Sequence, residues 1–198
     1  MVKSASKKIG IMGGTFDPVH TGHLVIAEKA REEFCLNKIL FIPSGIPPHG
    51  KRTFVPAEQR FEMVRIAVAG NRYFEVCDIE IKRDKPSYTY DTISLIEIEN
   101  PDTEIYFITG EDAFCDLLTW HRYRSLVRKT VFLVAPRLKK GPRRIPEIPF
   151  LRYRFINSPL MEISSSRIRN CFLEGKTVKY LVPDRVIEYA RRHGLYGL

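Results

Sequence analysis

The stretch of sequence that decides the fold is KIGIMGGTFDPVHTGHLVIAEKAREEFCLNKILFI, residues Lys8–Ile42. Its two ends, Lys8–Met12 and Lys38–Ile42, are short apolar runs bounded by turn residues, which is typical of buried strands. Between these runs, apolar residues recur at helical spacing over His23–Phe34. The stretch therefore predicts a β-α-β unit.

The same alternation of strands and helices continues along the rest of the chain. Further strands are predicted over Phe74–Cys77, Glu104–Thr109, Thr130–Ala135 and Tyr153–Ile156. Further helices are predicted over Ala57–Ala69, Tyr90–Glu99, Ala113–Val127, Ser164–Leu173 and Pro183–His193. Arg137–Phe150 is rich in Pro, Lys and Arg without periodicity, so we expect a surface loop there. The pattern predicts an α/β fold of one domain over residues 1–198, with a Rossmann-like, doubly wound parallel sheet and a small C-terminal helical extension.

The composition restricts the class of protein and of partner. Of the 198 residues, 44% are hydrophobic and 28% are charged, which is ordinary for a globular protein with one sizeable core. The net charge of +9 fits a partner that carries phosphate, either a nucleic acid or a small polyphosphate. No apolar run approaches the roughly 18 residues that cross a bilayer, and the amino terminus lacks the apolar centre of a signal peptide. We therefore expect no membrane partner and a cytoplasmic protein.

The four cysteines are widely separated, and no two of them form a C-x-x-C pair. They are Cys35, Cys77, Cys115 and Cys171. We interpret them as buried, reduced thiols rather than zinc ligands, and we predict no metal site built from the protein's own residues.

The junction between the first strand and the first helix has the residues of a phosphate site. Gly13 and Gly14 allow the backbone to turn and to approach a ligand with no side chain between them. The next helix presents unpaired amide groups and the positive end of its dipole to the same space. His20 and His23, three residues apart, could add two donors on one side. An ordinary turn with unrelated histidines, or a metal site, remain alternatives, although His-x-x-His without a third ligand indicates zinc only weakly.

Two common phosphate motifs are absent, since the chain has neither the dinucleotide G-x-G-x-x-G nor the Walker G-x-x-x-x-G-K-[ST] at this junction. The pair GGTFDPVHTGH (Gly13–His23) and ISSSRIR (Ile163–Arg169) instead resembles the nucleotidylyltransferase superfamily, which carries H-x-G-H at the first β-α junction and I-S-S-T-x-I-R at a late helix start. Within that superfamily the chain is similar to bacterial nicotinate-nucleotide adenylyltransferases. That similarity extends through PSGIPPH at Pro43–His49, SYTYDT at Ser87–Thr92, GEDAF at Gly110–Phe114 and YLVPDRVIEYARRHGLY at Tyr180–Tyr196.

The resemblance implies a nucleotidylyltransferase domain that joins nicotinate mononucleotide and ATP into nicotinate adenine dinucleotide and pyrophosphate, a step of NAD biosynthesis. A phosphate monoester has its second pKa near ~6, so the attacking phosphate is largely a dianion at neutral pH and needs no general base. Catalysis would then consist of in-line positioning and charge neutralisation, without a covalent nucleophile. Mg²⁺ is implied as the ion that accompanies ATP and bridges its phosphate oxygens.

The resemblance also implies which residues bind each substrate. The catalytic donors to the ATP phosphates would be His20 and His23. ATP would be bound by Gly13, Gly14, Thr15, Phe16, His20, His23, Ile163, Ser165, Ser166, Arg167 and Arg169. The mononucleotide would be bound by Lys51, Tyr88, Thr89, Asp112 and Trp120, with the indole stacked on the pyridine ring. Asp17-Pro18 is expected to shape the loop rather than to react.

Several of these residues also have ordinary structural interpretations. Trp120 could be a core aromatic residue at the end of a helix, and Ser165 and Ser166 could be helix caps. Arg169 could be a surface charge. Gly50 stands between the P-P-H motif and Lys51, where the related enzymes usually carry a basic residue, and Ser166 replaces the usual threonine.

Three other functions remain as alternatives. Phosphopantetheine adenylyltransferase shares the first motif, and a mononucleotide adenylyltransferase could prefer the amide over the acid. A basic RNA-binding domain is suggested by the net charge and by Arg137–Arg144, but the chain has no RNP, KH or zinc signature. We expect small-molecule substrates and no nucleic acid, and nothing in the sequence indicates an oligomeric state.

Overall fold

Six parallel strands form one sheet in the computed structural model, which describes residues 7–50, 52–137 and 145–198. The strands are β1 (Lys7–Gly14), β2 (Lys38–Pro43), β3 (Phe74–Val76), β4 (Thr103–Gly110), β5 (Val131–Ala135) and β6 (Tyr153–Phe155). Their order in the sheet is β3-β2-β1-β4-β5-β6, and every neighbouring pair is parallel. The chain thus winds outward from β1 in one direction and from β4 in the other. This confirms the predicted Rossmann-like, doubly wound sheet.

Seven α-helices accompany the sheet in the described residues. They are α1 (Thr21–Glu33), α2 (Ala57–Val68), α3 (Thr89–Glu99), α4 (Glu111–Cys115), α5 (Tyr123–Lys129), α6 (Ser165–Leu173) and α7 (Asp184–Arg192). The part of the chain described also contains three 3₁₀ turns, at Pro48–Gly50, Leu117–Thr119 and Leu195–Gly197. None of the described helices is long and apolar enough to cross a membrane.

The single helix predicted over Ala113–Val127 is wrong, because this segment contains α4, a 3₁₀ turn and α5. Arg122 has a φ of 52°, a left-handed conformation that a right-handed helix cannot contain. The break turns the Trp120 ring onto the sheet, where its edge meets Phe107 and Phe132. Packing of this aromatic residue has overridden the local helical pattern.

The two faces of the sheet are covered by different helices, as the alternation of side chains along the strands requires. In β4, Tyr106 and Ile108 belong to the core on one face, whereas Ile105 and Phe107 belong to the core on the other. The first core also includes buried residues of α1, α2, α6 and α7, and the second includes residues of α3, α4 and α5. The C-terminal helices are therefore part of the main core rather than an appendage to it.

All four cysteines have free thiols. Three of them are partly buried, but Cys35 is exposed, so the prediction that every thiol is buried is wrong at this position. Cys35 follows the end of α1 with a φ of 53°, and its left-handed turn leaves the side chain at the surface.

Candidate active site

A cavity of about 420 Å³ opens where the strand order reverses, outside the carboxyl ends of β1 and β4. In open α/β sheets this position is where ligands bind. Ten of the eleven residues predicted to bind ATP line the cavity: Gly13, Gly14, Thr15, Phe16, His20, His23, Ile163, Ser165, Ser166 and Arg169. The eleventh, Arg167, is exposed and is not part of the cavity wall.

Gly13 and Gly14 end β1 without an unusual backbone conformation, and the space beside Gly14 is the tighter of the two. A Cβ atom on Gly14 would lie 3.1 Å from the ring of Phe16, and one on Gly13 would lie 3.5 Å from the ring of Phe107. The left-handed residue of this turn is Phe16, with a φ of 49°. The sequence correctly indicated a tight turn here, but it attributed the turn to the wrong residue type.

The two histidines stand at the start of α1 with their rings stacked, 3.6 Å between centroids. The backbone N–H of His20 donates to Nδ1 of His23 at 3.2 Å. Because Nδ1 of His23 is the acceptor, the proton of a neutral His23 ring is on Nε2, which becomes a donor. The ring of His23 also meets the edge of Phe16 at 5.0 Å. The backbone and one aromatic residue therefore fix the orientation of this imidazole.

His20 is neutral at physiological pH. Its burial, assisted by the positive charge of Arg137, lowers the pKa of His20 from 6.5 to about 4. His20 therefore acts as a neutral hydrogen-bond donor in the free protein. A polyphosphate in the cavity would raise this pKa, because a nearby negative charge favours the protonated ring.

The start of α6 is fastened to the loop after β1. The capping residue is Ser164, whose Oγ accepts from the backbone N–H of Arg167 at 3.2 Å. Ser165 instead donates from Oγ to the carbonyl of Pro18 at 2.9 Å. The interpretation of Ser165 and Ser166 as caps is therefore wrong, since the cap is the serine before them.

Arg169 is partly buried, and the interpretation of it as a surface charge is wrong. Its Nη1 donates to the carbonyl of Asp17 at 2.7 Å, and its Nη2 donates to Oγ of Ser166 at 3.2 Å. The guanidinium carbon also lies 4.2 Å from the centroid of the Phe54 ring. A positive charge is thus held at the cavity wall by three separate segments.

The residues predicted to bind the mononucleotide are only partly brought into this cavity. Asp112 lines it, with Oδ2 at 4.0 Å from Nε of Arg137. Tyr88 stacks on His121 at 4.4 Å, Thr89 is the first residue of α3, and neither lines the cavity. Lys51 lies outside the described residues.

Trp120 is partly buried and packs on the sheet, so its interpretation as a core residue is partly right. Its ring lies nearly perpendicular to that of Phe107, with 5.8 Å between centroids. Phe107 is also the residue against which Gly13 fits. One aromatic ring therefore separates the indole from the glycine turn, and Trp120 lies beside the cavity without lining it.

Comparison with known proteins agrees with this geometry. A family model described as cytidylyltransferase-like matches residues 11–171. The chain belongs to the cytidylyltransferase-like family. A probable nicotinate-nucleotide adenylyltransferase of Desulfitobacterium hafniense (strain Y51) is 45% identical over 208 residues, covering 100% of this chain and 99% of the relative. One of Moorella thermoacetica is 46% identical over 198 residues, covering 96% and 91%. The resemblance drawn from the motifs is confirmed.

Two solved structures of adenylyltransferases have the same fold as this chain. The nicotinic acid mononucleotide adenylyltransferase of Plasmodium falciparum, complexed with NaAD, aligns with a TM-score of 0.80 at 24% identity and covers 96% of this chain and 97% of its own. A Vibrio parahaemolyticus structure described as a putative nicotinate-nucleotide adenylyltransferase aligns with a TM-score of 0.71 at 21% identity, covering 96% of each chain. Both comparisons support the cytidylyltransferase-like architecture.

The sequence did not indicate two arginines that shape this cavity, one in its wall and one buried behind it. Arg137 lines the cavity directly after β5, and its backbone N–H donates to Oε2 of Glu111 at 2.9 Å. Its position after a parallel strand was a usable signal, but the surrounding Pro, Lys and Arg residues suggested an ordinary surface loop.

Arg60 is fully buried in α2. It donates from Nη1 to the carbonyl of Thr15 at 2.7 Å and from Nη2 to the carbonyl of Gly45 at 3.1 Å. The signal for Arg60 was a charge on the same helical face as Met63 and Val64, which are buried. This guanidinium ties the loops that follow β1 and β2 to each other.

Proposed function

We propose that this chain is a nicotinate-nucleotide adenylyltransferase, which joins nicotinate mononucleotide to the adenylyl group of ATP and releases pyrophosphate. The observation that carries the proposal is the set of donors in one cavity: a glycine turn, two stacked imidazoles and an arginine held at the start of α6. Relatives of that name match along the whole chain, which favours this activity over that of phosphopantetheine adenylyltransferase.

The chemistry needs these donors and no protein nucleophile. An oxygen of the mononucleotide phosphate attacks the α-phosphorus of ATP, and the bond from that phosphorus to the bridging oxygen of the leaving pyrophosphate breaks. The attacking group is already a dianion, because its second pKa is near ~6. Charge accumulates on the departing pyrophosphate, so fixed donors that face it lower the barrier.

The residues of this chain supply those donors in specific ways. We assign Nε2 of His23 and the neutral ring of His20 as hydrogen-bond donors to the phosphates. Arg169 adds a charge that does not titrate in the physiological range. Backbone groups of Gly13, Gly14, Thr15 and Phe16 approach the nucleotide, as the absence of a Cβ at the two glycines permits.

The mononucleotide is assigned to the neighbouring region around Trp120. The indole provides a stacking surface for an electron-poor pyridine ring. Tyr88 and Thr89 at the start of α3 supply polar contacts, and Asp112 is a candidate acceptor for a ribose hydroxyl. Lys51 is assigned to the mononucleotide phosphate on the motif alone.

Mg²⁺ is expected to arrive with ATP rather than to occupy a protein cage. The described residues contain no group of three or more His, Cys, Asp or Glu that could hold a metal ion. The ion would therefore be held through phosphate oxygens and water, and it would neutralise phosphate charge there. Because ATP is supplied inside cells, we place the reaction in the cytoplasm.

The direct test is to incubate the purified protein with ATP, Mg²⁺ and nicotinate mononucleotide and to measure dinucleotide and pyrophosphate together. The amide mononucleotide and phosphopantetheine are run in parallel. We expect equal amounts of both products from the acid mononucleotide, with a kcat/KM at least tenfold above that for the amide. Comparable efficiency on the two mononucleotides would contradict acid preference. Salt-sensitive, tight RNA binding without pyrophosphate release would favour the RNA-binding alternative.

A further inference from the structure

The turn between Gly14 and His20 contacts the C-terminal 3₁₀ turn, Leu195–Gly197, through a hydrogen bond between Tyr196 and Asp17. We propose that Tyr196 is a positioning residue for adenylyl transfer, which acts through Asp17 to fix the turn between the glycines and His20. This inference rests on the proposed function, and it adds a residue that contacts neither substrate.

The carboxylate of Asp17 is the point where the loop is held. Asp17 is buried, with a relative exposure of 3%. The hydroxyl of Tyr196 donates to its Oδ1 at 2.7 Å, and the backbone N–H of Phe54 donates to its Oδ2 at 2.7 Å. Its carbonyl accepts from Arg169. Each oxygen atom of Asp17 is thus used by a different segment of the chain.

A displacement of Asp17 would also displace the imidazoles of His20 and His23. Asp17 follows Phe16, the left-handed residue of the turn, and precedes His20 by three positions. The ring of Phe16 meets both Gly14 and His23. A rotation of the Asp17 backbone therefore moves the glycine turn and the imidazoles together.

Tyr196 is itself held in an unfavourable backbone conformation. Its φ is 60°, in the left-handed region that residues other than glycine rarely adopt. The ring is buried and lies nearly parallel to Phe172, with 5.6 Å between centroids and 9° between planes. Such a conformation persists where the surroundings impose it, and here the surroundings direct the hydroxyl at Asp17.

The hydrogen bond from Tyr196 does not depend on pH in the working range. Burial, followed by the hydrogen bond to Asp17, raises the pKa of Tyr196 above its usual value of 10. The hydroxyl therefore remains a donor wherever the protein is folded. It functions as a fixed support rather than as a switch.

The chain offers a matched pair of substitutions as the test. Tyr196→Phe removes the hydroxyl and keeps the ring stacked on Phe172. Tyr106→Phe is the control, because Tyr106 is about as buried as Tyr196 and its hydroxyl also donates to a carboxylate, but that carboxylate belongs to Glu104, at 2.8 Å, and not to the turn that holds Asp17. We expect similar losses of stability in both variants, a kcat at least tenfold lower in Tyr196→Phe, and an unchanged kcat in Tyr106→Phe. Equal kcat values in the two variants would overturn the positioning role.

Two further measurements separate this proposal from the proposed function. If Tyr196 acts through Asp17, the double variant Asp17→Asn/Tyr196→Phe should lose no more kcat than Asp17→Asn alone, whereas multiplied losses would contradict the mechanism. The imidazole NMR signals of His20 and His23 should shift in Tyr196→Phe and not in Tyr106→Phe, with no substrate present. Unmoved signals would refute the positioning of the loop even if the reaction were a different one.

Discussion

Replacement of His20 by alanine tests the catalytic assignment most directly. The side chain is one of two stacked donors, and the hydrogen bond that orients His23 comes from the backbone N–H of His20, which alanine retains. His20→Ala should therefore remove one donor and leave the other in place. Loss of a single donor of this kind typically lowers turnover by about 10²–10³, or about 2.7–4 kcal/mol of transition-state stabilisation.

The same variant has a stability signature that does not depend on substrate. The pKa of His20 is about 4 in the folded protein and 6.5 in a model peptide. The unfolded chain therefore takes up a proton as the pH falls through 6.5, whereas the folded chain does so only near pH 4. Stability contributed by the neutral ring is present above pH 6.5 and is lost between there and pH 4. The difference amounts to about 3 kcal/mol.

The loss of turnover and the change in the pH dependence of stability can both be measured with one pair of variants. Steady-state turnover at pH 7.5 and urea unfolding between pH 4.5 and 7.5 are recorded for wild type, His20→Ala and His193→Ala. His193 is an exposed residue at the end of α7 and serves as the control. Only His20→Ala should lose turnover, and only it should show a flatter dependence of unfolding free energy on pH. Near-wild-type turnover in His20→Ala would remove His20 from the catalytic residues, and an unchanged pH dependence would show that folding does not lower the pKa of His20.

Three further substitutions test other parts of the site. Trp120→Ala should raise the KM for the mononucleotide more than that for ATP in steady-state kinetics, and the opposite pattern would place the pyridine ring elsewhere. Arg60→Met leaves the partly buried carbonyls of Thr15 and Gly45 without their donor and should lower the unfolding free energy by about 1–3 kcal/mol in urea. Arg65→Met on the exposed side of α2 should change the unfolding free energy much less, so equal losses would show that Arg60 does not hold the two loops together. Gly45→Ala would place a Cβ 2.3 Å from the carbonyl oxygen of Glu80 and should cost about 1–3 kcal/mol, whereas wild-type stability would mean that this loop moves freely.

The sheet could be predicted from the sequence because its strands are short, strongly apolar and regularly interrupted. Lys8–Met12 and Lys38–Ile42 fall within β1 and β2. The prediction of one helix over Ala113–Val127 failed because the break depends on the contact of Trp120 with Phe107 and Phe132. These two residues lie on other elements, so the local spacing carries no information about them. The spacing of apolar residues predicts which side of a helix is buried, but it cannot predict a contact with the sheet that interrupts the helix.

The wall of the cavity was predictable to the extent that its residues are close together in sequence. His20 and His23 are three residues apart, and the ISSSRIR motif places Ser165 and Arg169 on one short helix. The hydrogen bonds that hold these residues in place could not be predicted from the sequence. The hydrogen bond between Asp17 and Tyr196 joins residues 179 positions apart, and only the folded chain brings them together.

In this site the arginines carry a constant positive charge, whereas the protonation of His20 depends on the charges around it. His20 is kept neutral by its burial and by Arg137, so the permanent positive charge at the cavity wall belongs to the guanidinium groups of Arg137 and Arg169, which do not titrate in the physiological range. A bound triphosphate would oppose the influence of Arg137 and raise the pKa of His20, which strengthens its donor as negative charge grows. Because Asp17 is held by the carbonyl contact with Arg169 and by the buried hydrogen bond from Tyr196, we expect this response to occur without movement of the loop. On the proposed function, we therefore expect variants that loosen Asp17 or Tyr196 to lose turnover as variants of the donors themselves do.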